Sequence, residues 1–145
     1  MKIRWGVLGA SKIAIEKVIP AMANHEQFEV QALASRSLEK ARNISEKLSI
    51  PRYFGSYEEL IQDPDIDVVY IPLPNDLHVE FTLKCIVAGK HVLCEKPLAP
   101  SFAEAAEMAE QNAGSELGVV PALLPARRDE RPERVPVHER TVTRL

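Results

Sequence analysis

Short apolar runs alternate with amphipathic helical patterns along the chain as far as residue 113, and this alternation constrains the fold more than any other feature. The apolar runs of strand length span residues 3–8, 28–34, 67–72 and 91–94. The helical patterns between and after them span residues 15–22, 38–48, 57–62, 77–88 and 102–113. Strands and helices that alternate in this way form βαβ units, so the sequence predicts an α/β domain with a doubly wound parallel sheet.

Local signals mark the ends of these helices. Ser37, Ser56 and Ser101 are residues that can cap helix N-termini, and the last two are each followed three residues later by glutamate. Gly89 is suited to end the fourth helix, because glycine adopts the left-handed conformation at little cost. Pro20 should kink or interrupt the first helix.

Composition changes near Ala113 and divides the chain in two. Every lysine lies at or before Lys96, and no Phe, Trp or Tyr follows Phe102. Arginine and proline then become frequent and the hydrophobic periodicity ends. We therefore expect a single folded domain over residues 1–120 and a disordered Arg/Pro-rich tail over residues 121–145.

The bulk properties exclude several classes of protein. A net charge of −3 and a pI of about 5.8 argue against a surface for nucleic acid or for anionic membranes. The sequence shows neither an apolar run of membrane-span length nor a signal-peptide pattern, so we expect a cytoplasmic protein. Cys85 and Cys94 do not suggest a disulfide framework, and with His78 and His91 they lack the close spacing of a zinc site, so no metal is expected.

The turn after the first strand resembles a phosphate-binding loop. Ligands of doubly wound sheets bind beyond the carboxyl ends of the strands, where a helix N-terminus attracts a pyrophosphate. Gly9 permits the tight turn and Ala14 permits close packing of the helix, but Ser11 stands where the dinucleotide fingerprint has glycine. Alone, this segment is more typical of a simple tight turn. At the first strand–helix junction of a βαβ chain, it predicts a Rossmann-type dinucleotide site.

The end of the second strand bears on the kind of dinucleotide. A site specific for NAD places Asp or Glu there to bind the ribose hydroxyls, whereas no acid occurs between Val30 and Leu38. Ser35 and Arg36 occupy this position, with Lys40 one turn further on. Arginine offers a planar set of donors to a phosphate, so the sequence favours NADP, or use of both NADP and NAD. The alternative is a solvated arginine at a helix start.

Four segments carry a resemblance to a known family. They read GVLG at 6–9, ASR at 34–36, YIPLPNDLH at 70–78 and AGKHVLCEKPL at 88–98. From about residue 3 to residue 113 the chain resembles the glucose–fructose oxidoreductase, inositol dehydrogenase and MocA family, and the Glu-Lys-Pro segment is its most specific motif. The resemblance implies an NAD(P)-dependent oxidoreductase that acts on sugars, polyols and related small alcohols.

The resemblance also implies roles for individual residues. The pyrophosphate would be lined by Gly9, Ala10, Ser11, Lys12 and Ile13. The adenosine ribose or its phosphate would be met by Ser35, Arg36 and Lys40. The middle of the cofactor and its nicotinamide side would be lined by Pro72, Leu73, Asn75 and His78. The nicotinamide would be flanked by Glu95, Lys96 and Pro97, with a cis peptide bond before Pro97.

Lys96 is the candidate catalytic residue. The resemblance places it near the substrate hydroxyl or carbonyl, where an ammonium stabilises developing alkoxide charge or assists proton transfer. The alternative is a lysine that extends from a strand end into solvent. His78 stands in the first turn of its helix, where a capping or surface role is as well supported as contact with the cofactor.

Members of this family carry a second α/β domain, with a catalytic histidine and most of the substrate pocket, and nothing after Ala113 resembles it. We therefore expect a cofactor-binding domain that is inactive alone and able to self-associate through the surface left uncovered. Two alternatives stay open: an enzyme completed by a second chain, and a non-catalytic nucleotide-binding or interaction module. The presence of a lysine at position 96 favours the first two hypotheses over the third.

Overall fold

The computed structural model describes residues 1–99, 101–113 and 116–122, without the side chains of residues 102 and 120–122. The strands are β1 (Ile3–Leu8), β2 (Phe28–Ala34), β3 (Arg52–Phe54), β4 (Val68–Ile71), β5 (His91–Glu95) and β6 (Val119–Ala122). They form one parallel sheet in the order β3-β2-β1-β4-β5-β6. The chain winds outward in both directions from β1, so a crevice forms at the carboxyl ends of β1 and β4.

Helices connect the strands. Within the described residues the α-helices are α1 (Ile19–Ala23), α2 (Leu38–Leu48), α3 (Tyr57–Gln62), α4 (His78–Val87) and α5 (Phe102–Asn112). A π-helical turn, Ala14–Val18, leads into α1, and a 3-10 turn, Asn75–Leu77, leads into α4. Ser37, Ser56 and Ser101 accept backbone N–H groups at the starts of α2, α3 and α5, which confirms the predicted caps.

Each face of the sheet has its own hydrophobic core. On one face Val7 and Tyr70 pack with Ile19 and other residues of the first two helical segments. On the opposite face Leu8 packs with Phe81 and other residues of α3 and α4. Because neighbours along a strand point to opposite faces, β1 contributes to both cores, and the predicted doubly wound α/β fold is confirmed.

The strands at 3–8 and 28–34 match their predicted bounds. The short edge strand β3 was missed, because three residues carry too little pattern to identify a strand. The strand β6 ends at Ala122, slightly beyond the predicted domain end at residue 120. The predicted disordered tail lies, from residue 123 onward, outside the described residues.

The first helix passes through Pro20 instead of stopping there. The N–H of Ile19 bonds to the carbonyl of Ala14, five residues back, and thereby widens the helix just before the proline. An ordinary α-helix would bring the proline ring against the carbonyl of Glu16. The predicted interruption is thus present as a π-helical turn, and the helix continues to Ala23.

Lys90 should contribute strongly to stability. Its side chain is buried, and Nζ donates to the carbonyl oxygens of Asp63 and Ile66 at 2.6 and 2.7 Å. Lys90→Met would leave both carbonyls without this donor, and we expect the free energy of unfolding to fall by about 3 kcal/mol. Urea denaturation measures the loss. Lys47→Met, on the exposed side of α2, is the matched control, and equal midpoints for the two variants would contradict this account.

Candidate cofactor-binding site

Gly9 forms the turn between β1 and the first helix, and its surroundings leave no room for a side chain. Its φ of +89° lies in the region that favours glycine, and its N–H donates to the carbonyl of Ala34 at 2.7 Å. A Cβ added here would come within 2.8 Å of Leu73 Cδ2 and 3.8 Å of the Tyr57 hydroxyl. The turn therefore packs closely against the loop after β4.

The helix start beside this turn has free donors. The hydroxyl of Ser11 accepts the N–H of Ala14 at 3.3 Å, so serine acts as a cap at the position where the fingerprint has glycine. The leading N–H groups of a helix have no partner within the helix, which leaves those of Lys12 and Ile13 for a ligand. Both side chains are exposed, and Ala10 is half-buried. Such a helix start suits a pyrophosphate.

The turn after β2 is held by its own hydrogen bonds. Ser35 is buried; its N–H donates to the carbonyl of Phe54 at 3.1 Å, and its hydroxyl accepts the N–H of Ser37 at 3.4 Å. Ser37 in turn accepts the N–H of Lys40 at 3.3 Å. These bonds fix the backbone on both sides of Arg36, whose side chain is exposed together with that of Lys40. Two exposed cations thus follow a buried serine in the segment after the strand.

A cleft of about 430 Å³ lies beside Arg36 at the carboxyl edge of the sheet. Apolar side chains of α3 and α4 form part of its wall, with Tyr57 and Phe81 in edge-to-face contact at a centroid distance of 5.1 Å. Leu77 closes it on the side of the loop after β4. A cleft with aromatic and apolar side chains on one wall and a cation at its rim has the character of a site for an aromatic base attached to a phosphate.

The acids of the cleft do not neutralise Arg36. Glu58 and Glu80 lie in the lining, but Lys84 Nζ binds them at 2.7 and 2.6 Å, and this bond lowers the pKa of the Glu58 carboxyl. Within the part of the chain that the structure describes, no carboxylate lies within ion-pair distance of Arg36 or Lys40. Both cations are therefore available to an anionic ligand.

The loop after β4 faces the glycine turn. Pro72 and Leu73 are buried, and Asn75 is exposed at the start of the 3-10 turn. His78 is fully buried, with Nε2 2.7 Å from the carbonyl oxygen of Leu73 and Nδ1 2.6 Å from that of Pro97. The structure thus places His78 between two loops of the site, so any effect on a cofactor passes through the loops that it joins.

The end of β5 carries the Glu-Lys-Pro motif. Glu95 is half-buried and accepts the hydroxyl of Tyr70 at 2.5 Å, while Lys96 is exposed. Burial of the phenol, together with the Glu95 carboxylate, raises the pKa of Tyr70. The peptide bond between Lys96 and Pro97 is cis, as the resemblance implies.

Sequence reasoning missed two residues of this region, Tyr57 and Tyr70. Tyr57 directly follows a capping serine, a position that gives no sign of the side chain's contact with the glycine turn. Tyr70 pairs with Leu93 in the strand register, so its hydroxyl reaches Glu95 two residues further along β5. Register and strand order are needed to find that contact.

Neither a metal centre nor a reactive thiol is found in the described part of the chain. There, no group of three or more His, Cys, Asp or Glu side chains is arranged to hold a metal ion. Cys85 and Cys94 are unpaired and buried, and burial raises the pKa of their thiols to about 12 and about 11. No helix among the described residues is long and apolar enough to cross a membrane.

The glycine turn and the helix start lie at the end of β1, where the strand order reverses, and the loop after β4 packs against the turn. This arrangement defines a Rossmann-type dinucleotide-binding domain. The model of an oxidoreductase family with an NAD-binding Rossmann fold matches residues 3–120. The chain therefore belongs to the glucose–fructose oxidoreductase, inositol dehydrogenase and MocA family and is an NAD(P)-binding domain of that family.

Individual relatives agree with this assignment. An uncharacterised oxidoreductase of Rhizobium meliloti is 54% identical over 97 residues, which are 67% of this chain and 29% of that protein. A 1,5-anhydro-D-fructose reductase of Ensifer adhaerens is 47% identical over 117 residues, 79% of this chain and 35% of that protein. The chain thus spans about a third of the length of these relatives.

Solved structures share the fold. The 3-ketoreductase KijD10 of Actinomadura kijaniata, in complex with TDP-benzene and NADP, aligns with a TM-score of 0.80 and 34% identity. The alignment covers 83% of this chain and 38% of that one. The matching part of that enzyme is thus similar in backbone to the chain described here.

Proposed function

We propose that this domain binds NADP(H) in preference to NAD(H) and supplies the cofactor half of an oxidoreductase for sugars, polyols or related small alcohols. The observation that supports the preference is the strand end after β2, where Arg36 and Lys40 have no carboxylate partner among the described residues. A ribose phosphate would find there a guanidinium, an ammonium and the hydroxyl of Ser35.

The residues present fit the rest of the dinucleotide. The leading N–H groups of the helix after Gly9 suit a pyrophosphate that binds along the backbone of residues 10–13. The cleft lined by Tyr57 and Leu77 suits the adenine, and Leu73 and Asn75 would lie along the nicotinamide half. When bound, the nicotinamide donates or accepts a hydride. In this proposal Lys96 contacts the substrate oxygen and stabilises its developing negative charge.

We further propose that the chain alone has no turnover. The rate enhancement that comes from holding substrate and cofactor close together and correctly oriented requires a substrate pocket that closes over the nicotinamide. In the relatives, about two thirds of the length lies outside the part that this chain matches. A cytoplasmic location is in keeping with two unpaired buried cysteines. We also propose that the surface beside the site can self-associate when nothing covers it.

Calorimetric titration with NADP+ and NAD+ tests the preference. We expect micromolar binding of NADP+ and weaker binding of NAD+. Arg36→Ala should weaken NADP+ binding about 10- to 100-fold and leave NAD+ nearly unchanged, because only NADP+ carries the ribose phosphate. Arg42→Ala, on α2 and paired with Glu46, is the matched control. Tighter binding of NAD+, or an unchanged preference in Arg36→Ala, would show that the ribose assignment is wrong.

A further inference from the structure

The side chain of Lys96 receives no direct support from the described residues. It is exposed, and within the described residues no hydrogen bond or ion pair involves its ammonium group. Four rotatable bonds separate the ammonium from the backbone, so its position depends on how firmly the strand end is held. The residues on either side of Lys96 are both held by buried groups that belong to β4 or to the helix after it.

The residue before Lys96 is held by Tyr70. The phenol is fully buried in the core on one face of the sheet, and its hydroxyl donates to Glu95 Oε1 at 2.5 Å. A hydrogen bond to a carboxylate is short and strong in such surroundings. The bond joins β4 to the last residue of β5, beyond the last paired residues of these two strands, Ile71 and Cys94. The backbone of Glu95 pairs on its other side with Ala122 of β6, and Tyr70 holds the same residue from the side of β4 through its carboxylate.

The residue after Lys96 is held by His78. Its two ring nitrogens face two backbone carbonyl oxygens, those of Pro97 at 2.6 Å and Leu73 at 2.7 Å. A carbonyl oxygen can only accept a hydrogen bond, so the ring donates an N–H to at least one of them. The fully buried ring thereby joins the segment after Lys96 to the loop after β4.

We propose that Tyr70 and His78 are positioning residues for Lys96, which hold the residue before it and the residue after it. Only the purpose of this arrangement rests on the proposed function. The arrangement itself belongs to the free protein, so its test needs no cofactor. Failure to bind NADP+ would overturn the proposed function and leave the results of this test intact.

The first arm of the test is the immobilisation of the His78 ring. Long-range proton–nitrogen correlation spectra of the ¹⁵N-labelled chain detect the ring nitrogens and the hydrogens that they carry. We expect a ring N–H of His78 that is protected from exchange with water, because the buried ring lies between the carbonyls of Leu73 and Pro97. His25, which is exposed, is the internal reference and should show no such protection. Rapid exchange of the His78 ring hydrogens would overturn the role assigned to His78.

The second arm measures the mobility of Lys96. In the unmodified chain we expect a backbone order parameter of about 0.85 for Lys96, and we expect a value below about 0.6 in Tyr70→Phe and in His78→Gln. Tyr53→Phe and His25→Gln remove the same groups from exposed positions and should leave Lys96 rigid. A purely structural role would lower the unfolding midpoint without this local change. Tyr70→Phe removes a single oxygen, so it keeps the test decisive even where His78→Gln fails to fold. A rigid Lys96 in Tyr70→Phe would overturn the proposal.

Discussion

Lys96→Ala should lower kcat by about 10²- to 10⁴-fold in an active enzyme that contains this domain, while the Kd for NADP+ changes by less than about threefold. In the proposed function the ammonium acts on negative charge that forms on the substrate oxygen only in the transition state. Residues 1–120 joined to the remaining part of the 1,5-anhydro-D-fructose reductase of Ensifer adhaerens would provide such an enzyme, since the two sequences match over 117 residues at 47% identity. Initial rates and cofactor titrations on this fusion protein measure the two effects separately.

Two controls define that experiment. Lys47→Ala removes an exposed lysine from α2, far from the carboxyl edge of the sheet, and should leave kcat unchanged. The 145-residue chain, assayed alone with a panel of sugars and polyols, should show no saturable reduction of cofactor. Equal losses of kcat and of cofactor affinity in Lys96→Ala would indicate a lysine that only supports the structure, contrary to the proposed role.

Gly9→Val should reduce NADP+ affinity by more than about 100-fold. The substitution combines two costs: a β-branched residue at a φ of +89°, and a Cβ 2.8 Å from Leu73 Cδ2. To relieve this strain, either the glycine turn or the loop after β4 must shift, and both belong to the wall of the proposed site. Misplacement by about 1 Å is enough to disrupt a site built from backbone donors. Fluorescence titration with NADPH measures the loss.

Gly89 offers a matched control for the backbone strain that a β-branched residue causes at a positive φ. Its φ of +73° is also positive, but a Cβ added there has no atom within 4 Å, and it lies at the other end of the sheet, before β5. Gly89→Val should therefore lower the thermal midpoint through backbone strain and leave NADP+ affinity intact. Wild-type affinity in Gly9→Val, or an equal loss of affinity in both variants, would contradict the account of the glycine turn.

The fold was predictable because hydrophobic periodicity and helix caps are local signals. The strand at 28–34 is bounded by polar residues, and Ser37 marks the start of the helix after it, so both elements are evident from neighbouring residues. The two features that depart from these local signals also have physical explanations. The edge strand β3 has three residues, and the π-helical turn before Pro20 depends on a one-residue change in hydrogen-bond register. Neither produces a periodic pattern.

The candidate site was predictable where a single residue type carries the chemistry. The lack of an acid after β2 and the presence of Arg36 favour a phosphate through residue chemistry alone. The support of Lys96 was not predictable, because Tyr70 and His78 reach its neighbours across strands and loops whose register follows from tertiary packing. For His78 the sequence left both a contact with the cofactor and a capping or surface role open. The structure excludes the surface role, because the ring is buried and lies at hydrogen-bond distance from two carbonyls.

The most direct test of the central claim is a two-dimensional NMR titration of the ¹⁵N-labelled chain with NADP+. We predict saturable shifts of the backbone amides of residues 9–13, 35–37, 75–77 and 95–96, which lie together at the carboxyl edge of the sheet. NAD+ at the same concentration should shift residues 35–37 less, because it lacks the ribose phosphate. No saturable change, or shifts centred on Arg4, Asp67 and His91 at the opposite edge, would contradict the assignment of this chain as an NADP(H)-binding domain.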